Sequence, residues 1–232
     1  MKKWKAFGLA AILGSSLLAA CGGEKEVASA DEQDKVLQYQ SQPGVVTFPE
    51  VAQELGYLDD VTLEIIGNYV GGPESIQLVA TGQIDFGYAF TGAILKSAAK
   101  NVPIKAVIAA YGSDEATATS LYALEGSGIA SGKDLIGKKV GVNTLGAHYE
   151  FFLADYLKQQ GLTEEEREQV SAVVIPMATA EQTLRSGQID AVIMNGLARD
   201  LALERGGIAT VARDIDVYDR HFTAGPTIFS DE

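Results

Sequence analysis

The chain has 232 residues, 47% of them hydrophobic and 21% charged, and its formal net charge is −13. This composition fits one large domain or two modest lobes with a buried core, and it excludes an intrinsically disordered chain. The negative charge argues against binding nucleic acid or an anionic membrane surface by general electrostatics, although helix N-termini can still make a local site for an anion.

The first twenty residues have the pattern of a secretory leader. Three lysines within the first five positions precede a short apolar run over residues 6–17. This run is shorter than the roughly 20 apolar residues that cross a bilayer, and it is typical of a signal-peptide core. It ends in Leu18-Ala19-Ala20-Cys21, which resembles the lipobox of bacterial lipoproteins. We therefore predict a signal peptide over residues 1–20, lipidation of Cys21 and a flexible tether over residues 21–35.

Cys21 is the only cysteine, so it has no partner for an intramolecular disulfide. Loss of residues 1–20 removes three lysines and no acidic residue, which changes the net charge from −13 to −16. Acyl chains on Cys21 would hold the protein at the extracytoplasmic face of a cell membrane, in a periplasm or on a Gram-positive surface.

Beyond the tether, strand-like and helix-like segments alternate. β-Branched or alternating apolar stretches predict strands, and segments with helical spacing that stop at a glycine predict helices. In the first half, the predicted strands cover residues 35–40, 61–66, 84–89 and 104–110, and the predicted helices cover residues 48–55, 74–80 and 93–100. Such alternation is typical of parallel βαβ units in an α/β fold.

The pattern restarts in the second half of the chain. The predicted strands there cover residues 119–123, 139–142, 171–175, 191–194 and 208–212, and the predicted helices cover residues 133–135, 149–160, 178–185 and 197–205. A four-residue motif links the halves, because Gly82-Gln83-Ile84-Asp85 recurs as Gly187-Gln188-Ile189-Asp190. Each copy follows a predicted helix and precedes an apolar strand. We therefore expect two similar lobes, and a structural rather than catalytic role for Asp85 and Asp190.

Several segments, taken in order, resemble the substrate-binding proteins of nitrate/sulfonate/taurine-type ABC importers. The resemblance covers roughly residues 36–230. It rests on residues 45–66 with Glu54-Leu55-Gly56-Tyr57, on Gly72-Pro73 followed by a helix and the first Gly-Gln-Ile-Asp, on residues 134–142, on Ala147-His148-Tyr149, and on the second Gly-Gln-Ile-Asp. No single motif is specific to the family, but their order and spacing together are.

The resemblance implies a two-lobed, type II periplasmic-binding-protein-like α/β fold. Each lobe would be a mostly parallel sheet flanked by helices, and a two-strand hinge would let the lobes close on a ligand. Lobe I is expected over residues 36–117 and lobe II over residues 118–221, with residues 222–232 starting a return crossing to lobe I. Family members usually continue well past this point, so part of lobe I is expected to be missing.

The implied function is that of a monomeric, lipid-anchored solute-binding component of an ABC importer. It would capture a small anion resembling sulfonate, nitrate or taurine and deliver it to permease subunits. The resemblance implies no cofactor.

Ligands of open α/β sheets bind beyond the carboxyl ends of the strands. In lobe I the candidate ligand-binding residues at these positions are Gln42, Pro43, Gly44, Gly71, Gly72, Pro73, Phe90, Thr91, Gly92 and Tyr111. Glycines let backbone N–H groups approach a ligand, and Thr91 adds a hydroxyl group. Phe90 could wall the cleft or pack in the core.

In lobe II the loop that opens the helix at residue 149 is the strongest candidate for binding an anion. It offers the side chains of Asn143 and Thr144, free backbone N–H groups and the positive end of a helix dipole. His148 and Tyr149 stand at the helix start, and for His148 a capping or surface role outranks ligand contact. Asn195 follows another strand and is a candidate hydrogen-bonding residue.

Three alternatives stay open. An enzyme on the same fold is one, although the sequence contains no nucleophile elbow, Walker loop, paired-histidine motif or metal-ligand spacing, so no catalytic residue or metal ligand is assigned. A receptor for a pyrimidine precursor of thiamine is another, and it would need an aromatic cleft built from Phe and Tyr. The third is a lipoprotein that presents its ligand to a sensor instead of a permease.

Overall fold

The computed structural model describes residues 35–42, 44–218 and 222–231. The predicted signal peptide, Cys21, nearly all of the predicted tether and Pro43 lie outside the described residues. The strands are β1 (Val36–Ser41), β2 (Thr62–Asn68), β3 (Phe86–Tyr88), β4 (Ile104–Ser113), β5 (Ser120–Leu124), β6 (Lys139–Val142), β7 (Ser171–Val174), β8 (Ala191–Met194), β9 (Ile208–Arg213) and β10 (Phe222–Ser230). The helices are α1 (Phe48–Glu54), α2 (Gly72–Ala80), α3 (Thr91–Ala98), α4 (His148–Gln159), α5 (Glu164–Glu168), α6 (Ala180–Arg185), α7 (Gly196–Arg205) and α8 (Asp214–Val217).

The predicted alternation of strands and helices is confirmed, with differences of a few residues at most ends. The strand predicted over residues 84–89 is shorter, because the Gly-Gln-Ile-Asp turn occupies its beginning. The helix predicted over residues 178–185 is divided into a 3₁₀ turn, Met177–Thr179, and α6. Helices α5 and α8 were not predicted, although Thr163 and Glu166 form a capping box that marks the start of α5.

The second half of the chain forms a five-stranded sheet in the order β7-β6-β8-β5-β9. Strand β6 is parallel to β7 and β8, whereas β5 is antiparallel to β8 and β9. We call this sheet and its helices lobe II. Strand β5 is the first strand of this lobe along the chain, and it alone runs against its neighbours.

The first half, which we call lobe I, has a matching arrangement. Strands β1 and β2 are parallel, and β10 lies between β3 and β4, antiparallel to both. The backbone N–H of Asp85 donates to the carbonyl of Gln38 at 2.8 Å, which joins β1 to the start of β3. The resulting order, β2-β1-β3-β10-β4, repeats the order of lobe II strand for strand. The second crossing of the chain, β10, takes the place that β5 has in lobe II.

Helix α4 shows how the sequence pattern builds the core of lobe II. Its buried residues are Tyr149, Phe152, Leu153, Tyr156 and Leu157. This spacing puts all five on one face of the helix. The face packs against buried residues of the sheet that include Leu121, Val140 and Ile193. Each large side chain buried in this way contributes about 1.5–3 kcal/mol. Lobe I has a smaller core, which includes Ile76, Val79, Ile84 and Ile228.

Candidate functional site

The loops that follow the strands of the two lobes meet each other directly. Gly71 follows β2 in lobe I, and a Cβ atom placed on it would lie only 2.5 Å from Cγ2 of Thr144, which follows β6 in lobe II. A Cβ atom placed on Gly146 would lie 3.4 Å from Cγ of Pro73. The two lobes are therefore in contact along the cleft, and a ligand could enter only if they part.

An aromatic contact crosses the same cleft. Phe90, at the start of α3 in lobe I, is only 8% exposed. Its ring centroid lies 4.6 Å from that of His148 and 5.5 Å from that of Phe151, both on α4 of lobe II. It also lies 6.4 Å from the ring of Tyr218, which follows α8. Phe90 therefore packs between the lobes instead of in the core of lobe I.

His148 is held from the opposite side by Asp214. The Nε2 atom of His148 lies 2.9 Å from Oδ2 of Asp214, and the histidine side chain is only 11% exposed. The other carboxylate oxygen of Asp214 accepts the hydroxyl of Ser113 at 2.8 Å. The expected capping or surface role of His148 is therefore wrong, because burial and pairing fix its ring inside the contact between the lobes.

Three tyrosines gather near the ends of the cleft strands. Burial raises the pKa values of Tyr69 and Tyr149 far above the usual value of a phenol. Burial also raises the pKa of Tyr111, with further increases from Tyr69 and Tyr149, so the three groups lie close together. Tyr111 as a whole is 38% exposed, but its Cζ and hydroxyl atoms pack on Gly225, so the phenol end faces protein. All three hydroxyl groups are therefore neutral at physiological pH.

Two asparagine side chains supply further polar atoms in lobe II. The hydroxyl of Tyr149 donates to Oδ1 of Asn195 at 2.8 Å, and Nδ2 of Asn195 lies 3.4 Å from the hydroxyl of Thr119. Oδ1 of Asn143 is buried and has no hydrogen-bond partner among the described residues. Such an unpaired acceptor costs free energy unless a ligand or water donates to it.

Four helices begin at the cleft: α2, α3, α4 and α7. Their N-cap residues are Gly71, Phe90, Ala147 and Asn195, and none of these side chains accepts a hydrogen bond from its helix. Backbone donors at these ends could therefore meet a ligand. The start of α4 is an exception in one respect, because the carboxylate of Glu150 accepts the N–H of Gly146. Of the backbone N–H groups that this loop was expected to leave free, that of Gly146 is therefore already bonded.

Most of the predicted site residues lie at the contact between the lobes or beside it. Thr91 donates its hydroxyl to the carbonyl of Ala224 at 3.1 Å. Gly72 packs closely on Ala89, and Gly92 packs on Phe90 and Phe151. Gln42 and Gly44 instead occupy an exposed turn, closed by the N–H of Val45 donating to the carbonyl of Gln42 at 3.1 Å. Their partner in the prediction, Pro43, lies outside the described residues.

Sequence reasoning missed Tyr69, Glu150, Asp214 and Tyr218. Tyr69 directly follows β2, so the strand-end rule that selected Gly71 could have found it. Glu150 lies in the first turn of α4, where a carboxylate is favourable and often caps the helix. No local signal marks Asp214 or Tyr218, whose roles come from contacts with residues distant in sequence.

Two cavities of about 270 and 280 Å³ lie away from this cleft. The first is lined in part by Glu115, Ser120, Arg199 and Arg213, and the second in part by Tyr156, Gln159 and Val217. In residues 35–42, 44–218 and 222–231 no cluster of His, Cys, Asp and Glu suited to a metal ion is found. Over the same ranges no helix has both the length and the apolar character needed to cross a bilayer.

The family model described as NMT1/THI5 like matches residues 46–221. The chain belongs to the NMT1/THI5-like family. A search of curated proteins gave no match. Among solved structures, this family member is similar to the periplasmic aliphatic sulphonate binding protein SsuA of Escherichia coli, with 20% identity and a TM-score of 0.66, over 84% of this chain and 61% of that one.

Two further structures are similar to this NMT1/THI5-like chain. One is the alkanesulfonate-binding protein SsuA of Xanthomonas axonopodis pv. citri bound to MOPS, with 18% identity and a TM-score of 0.68, over 84% of this chain and 65% of that one. The other is the ligand binding component of an ABC-type import system from Staphylococcus aureus with zinc bound, with 16% identity and a TM-score of 0.64, over 85% of this chain and 67% of that one.

These likenesses confirm the expected two-lobed fold and the resemblance to substrate-binding proteins of ABC importers. The chain spans 61% and 65% of the lengths of the two SsuA proteins.

Proposed function

We propose that this chain is the extracytoplasmic solute-binding component of an ABC importer, anchored through Cys21, which encloses a small ligand between its lobes and delivers it to a permease. The contact of Gly71 and Phe90 in lobe I with Thr144 and His148 in lobe II supports this proposal most directly. Loops from the carboxyl ends of strands in both lobes converge there, as they do where open α/β sheets bind ligands.

The first candidate ligand is a small organic anion such as a sulfonate, or nitrate. The starts of α2, α3, α4 and α7, where no N-cap side chain accepts a hydrogen bond from the helix, support it, since backbone N–H groups at helix N-termini attract negative charge. Side chains of Thr144 and Asn195 could add further donors. The sulfonate-binding proteins named above, similar in fold, make this class the first to test.

The second candidate is an uncharged planar heterocycle, such as a pyrimidine precursor of thiamine. Tyr69, Tyr111 and Tyr149 favour it, because neutral phenol rings can line a flat ligand and their hydroxyl groups can bond to ring nitrogens. The carboxylates of Glu150 and Asp214 also lie beside the contact between the lobes, where they would repel an anion.

A thermal-shift screen of the mature protein separates these candidates. Alkanesulfonates, taurine, nitrate, carboxylates and aminopyrimidines are each added across a concentration series. A ligand at 100 times its dissociation constant adds about 2.7 kcal/mol of stability, which is readily measured as a rise in Tm. Stabilisation by sulfonates supports the first candidate and stabilisation by pyrimidines supports the second. If no member of either class stabilises the protein, both ligand assignments are wrong.

A partner surface is also available on lobe I. Phe48, Val51 and Leu55 follow one another at helical spacing on α1 and along its end, and they are 72%, 42% and 58% exposed. A contiguous exposed apolar stripe of this kind often marks a protein interface. We propose that the permease is the partner that contacts this stripe. Replacing Phe48 with Ser should reduce uptake in cells while leaving ligand affinity of the purified protein unchanged.

The anchor has its own test. Changing Cys21 to Ser removes the thiol that would carry diacylglycerol. The protein should then move from the membrane fraction to the medium or the periplasm. Labelling of the wild-type protein, but not of the variant, by a radioactive or clickable fatty acid would support lipidation. Equal distribution of both proteins would refute it.

A further inference from the structure

Asp214 lies beside the first connection between the two lobes and is completely buried. Its Oδ1 atom accepts the hydroxyl of Ser113, the last residue of β4 in lobe I, at 2.8 Å. Its backbone N–H donates to the carbonyl of Thr119 at 2.9 Å, immediately before β5 in lobe II. The segment between Ser113 and Thr119 is the first connection between the lobes. A single residue of the second half of the chain therefore holds both ends of this connection.

The remaining carboxylate oxygen of Asp214 reaches the cleft. It lies 2.9 Å from Nε2 of His148. A carboxylate in its ionised state only accepts hydrogen bonds, so Nε2 of His148 is then the donor of this bond. The ring of His148 in turn lies 4.6 Å from the ring of Phe90 in lobe I. The carboxylate thus joins the first connection between the lobes to the aromatic contact across the cleft.

We propose that Asp214 is a positioning residue that couples the hinge to the cleft. By holding Ser113 and His148 together, it sets the angle between the lobes and turns the ring of His148 against Phe90. Ser113 belongs to a strand of lobe I and His148 to a helix of lobe II, so parting the lobes strains at least one of the two bonds. The biological meaning of this coupling rests on the proposed receptor function, but its test needs no ligand.

The test measures the distance between the lobes in ligand-free protein. Cysteines replace the exposed residues Lys100 and Glu168 in a Cys21→Ser background and carry a fluorescent donor and acceptor. Asp214→Asn should raise the fraction of molecules with a long interlobe distance at least threefold. Asp216→Asn is the matched control, because it makes the same change of charge on the same helix. Asp216 is exposed and accepts a hydrogen bond from Arg213 instead of from Ser113. It should leave the distribution unchanged.

A second measurement follows the histidine ring. The chain has only two histidines, His148 and His221, so a His221→Gln background leaves one imidazole signal. Asp214→Asn should change the nitrogen chemical shifts of His148. The amide can place an N–H donor beside Nε2 of His148, where the carboxylate offers only an acceptor. A role confined to fold stability would lower Tm and leave both the tautomer and the interlobe distance of the folded protein unchanged. That outcome overturns the proposal.

A double-mutant cycle covers the case in which Asp214→Asn does not fold. Ser113→Ala and His148→Phe each remove one bond to Asp214, and the phenyl ring keeps the contact with Phe90. Because both bonds end on one carboxylate, the effects of the two changes on the open fraction should be non-additive. Additive effects would show that hinge and cleft act independently, which also overturns the coupling.

Discussion

Asp190 accepts the backbone N–H of Lys139 at 2.8 Å and donates its own N–H to the carbonyl of Lys139 at 2.9 Å. Asp85 makes the same pair of bonds with Gln38 in lobe I, at 2.6 and 2.8 Å. The repeated Gly-Gln-Ile-Asp motif therefore has one structural function in both lobes. It ends a helix and fastens the strand that follows to a neighbouring strand, which is β1 in lobe I and β6 in lobe II.

This relationship predicts how the two aspartates respond to substitution. Asp190→Ala and Asp85→Ala should each lower the free energy of unfolding by about 1 kcal/mol, because a backbone N–H loses its acceptor. Asp190→Asn and Asp85→Asn keep an acceptor oxygen and should cost less. Urea denaturation measures these differences. Ligand affinity should stay the same in all four variants, and a loss of affinity at normal stability would instead indicate a role in binding.

Gly71→Ala tests whether the contact between the lobes is needed for binding. The new Cβ would lie 2.5 Å from Cγ2 of Thr144, so the lobes cannot close fully. The backbone at Gly71 is extended, with φ of 175°, so alanine brings no strain of its own. The variant should keep its Tm and lose at least tenfold in affinity for the ligand found by thermal shift.

Thr144→Ser supplies the control for this prediction. This substitution removes Cγ2 of residue 144. The atom nearest to the Cβ added at position 71 is then Cβ of residue 144, at 3.5 Å, which is an ordinary contact distance. The double variant Gly71→Ala/Thr144→Ser should therefore recover most of the affinity in a calorimetric titration. If the double variant binds as weakly as Gly71→Ala alone, the clash is not the cause.

Glu150→Gln separates the two ligand classes. Glutamine can still accept the N–H of Gly146 but removes a negative charge from the start of α4. Affinity for a sulfonate should rise about tenfold, equivalent to about 1.4 kcal/mol, whereas affinity for an uncharged pyrimidine should change little. Glu164→Gln, at the start of α5, is a control with the same change of charge. An equal effect of both substitutions would mean that net charge, and not this position, decides affinity.

Glu50 should contribute to the acid sensitivity of lobe I. Burial opposes its ionised form, but hydrogen bonds from Tyr39, Thr47 and Ser41 outweigh it and hold the pKa of the carboxyl group below the ordinary 4.5. A carboxyl group whose pKa is lowered by folding stabilises the protein above its unfolded pKa. This stabilisation is lost as the pH falls through the folded value.

The wild-type protein should therefore lose stability more steeply than Glu50→Gln below about pH 4.5. Denaturation series between pH 7 and pH 3 measure the two slopes. Glu54→Gln on the same helix serves as the comparison and should follow the wild type. Parallel curves for the wild type and Glu50→Gln would show that Glu50 makes no such contribution.

The sequence alone was sufficient for the order of most of the elements and for the turns at Gly82 and Gly187. These features depend on local backbone preferences and on apolar spacing within one segment, which is information that neighbouring residues carry. The rule that ligands meet the carboxyl ends of strands selected Gly71, Phe90 and Thr144, which lie at the contact between the lobes. That they bind a ligand stays a prediction.

Only the tertiary structure decided which of these residues touch and what their chemistry becomes. His148 and Asp214 are 66 positions apart, and nothing near either one in sequence predicts their bond. The tyrosine group likewise combines β2, β4 and α4, so its raised pKa values arise from burial that no single segment provides. Pairing and desolvation depend on how the two lobes come together, and that arrangement is set by the fold as a whole.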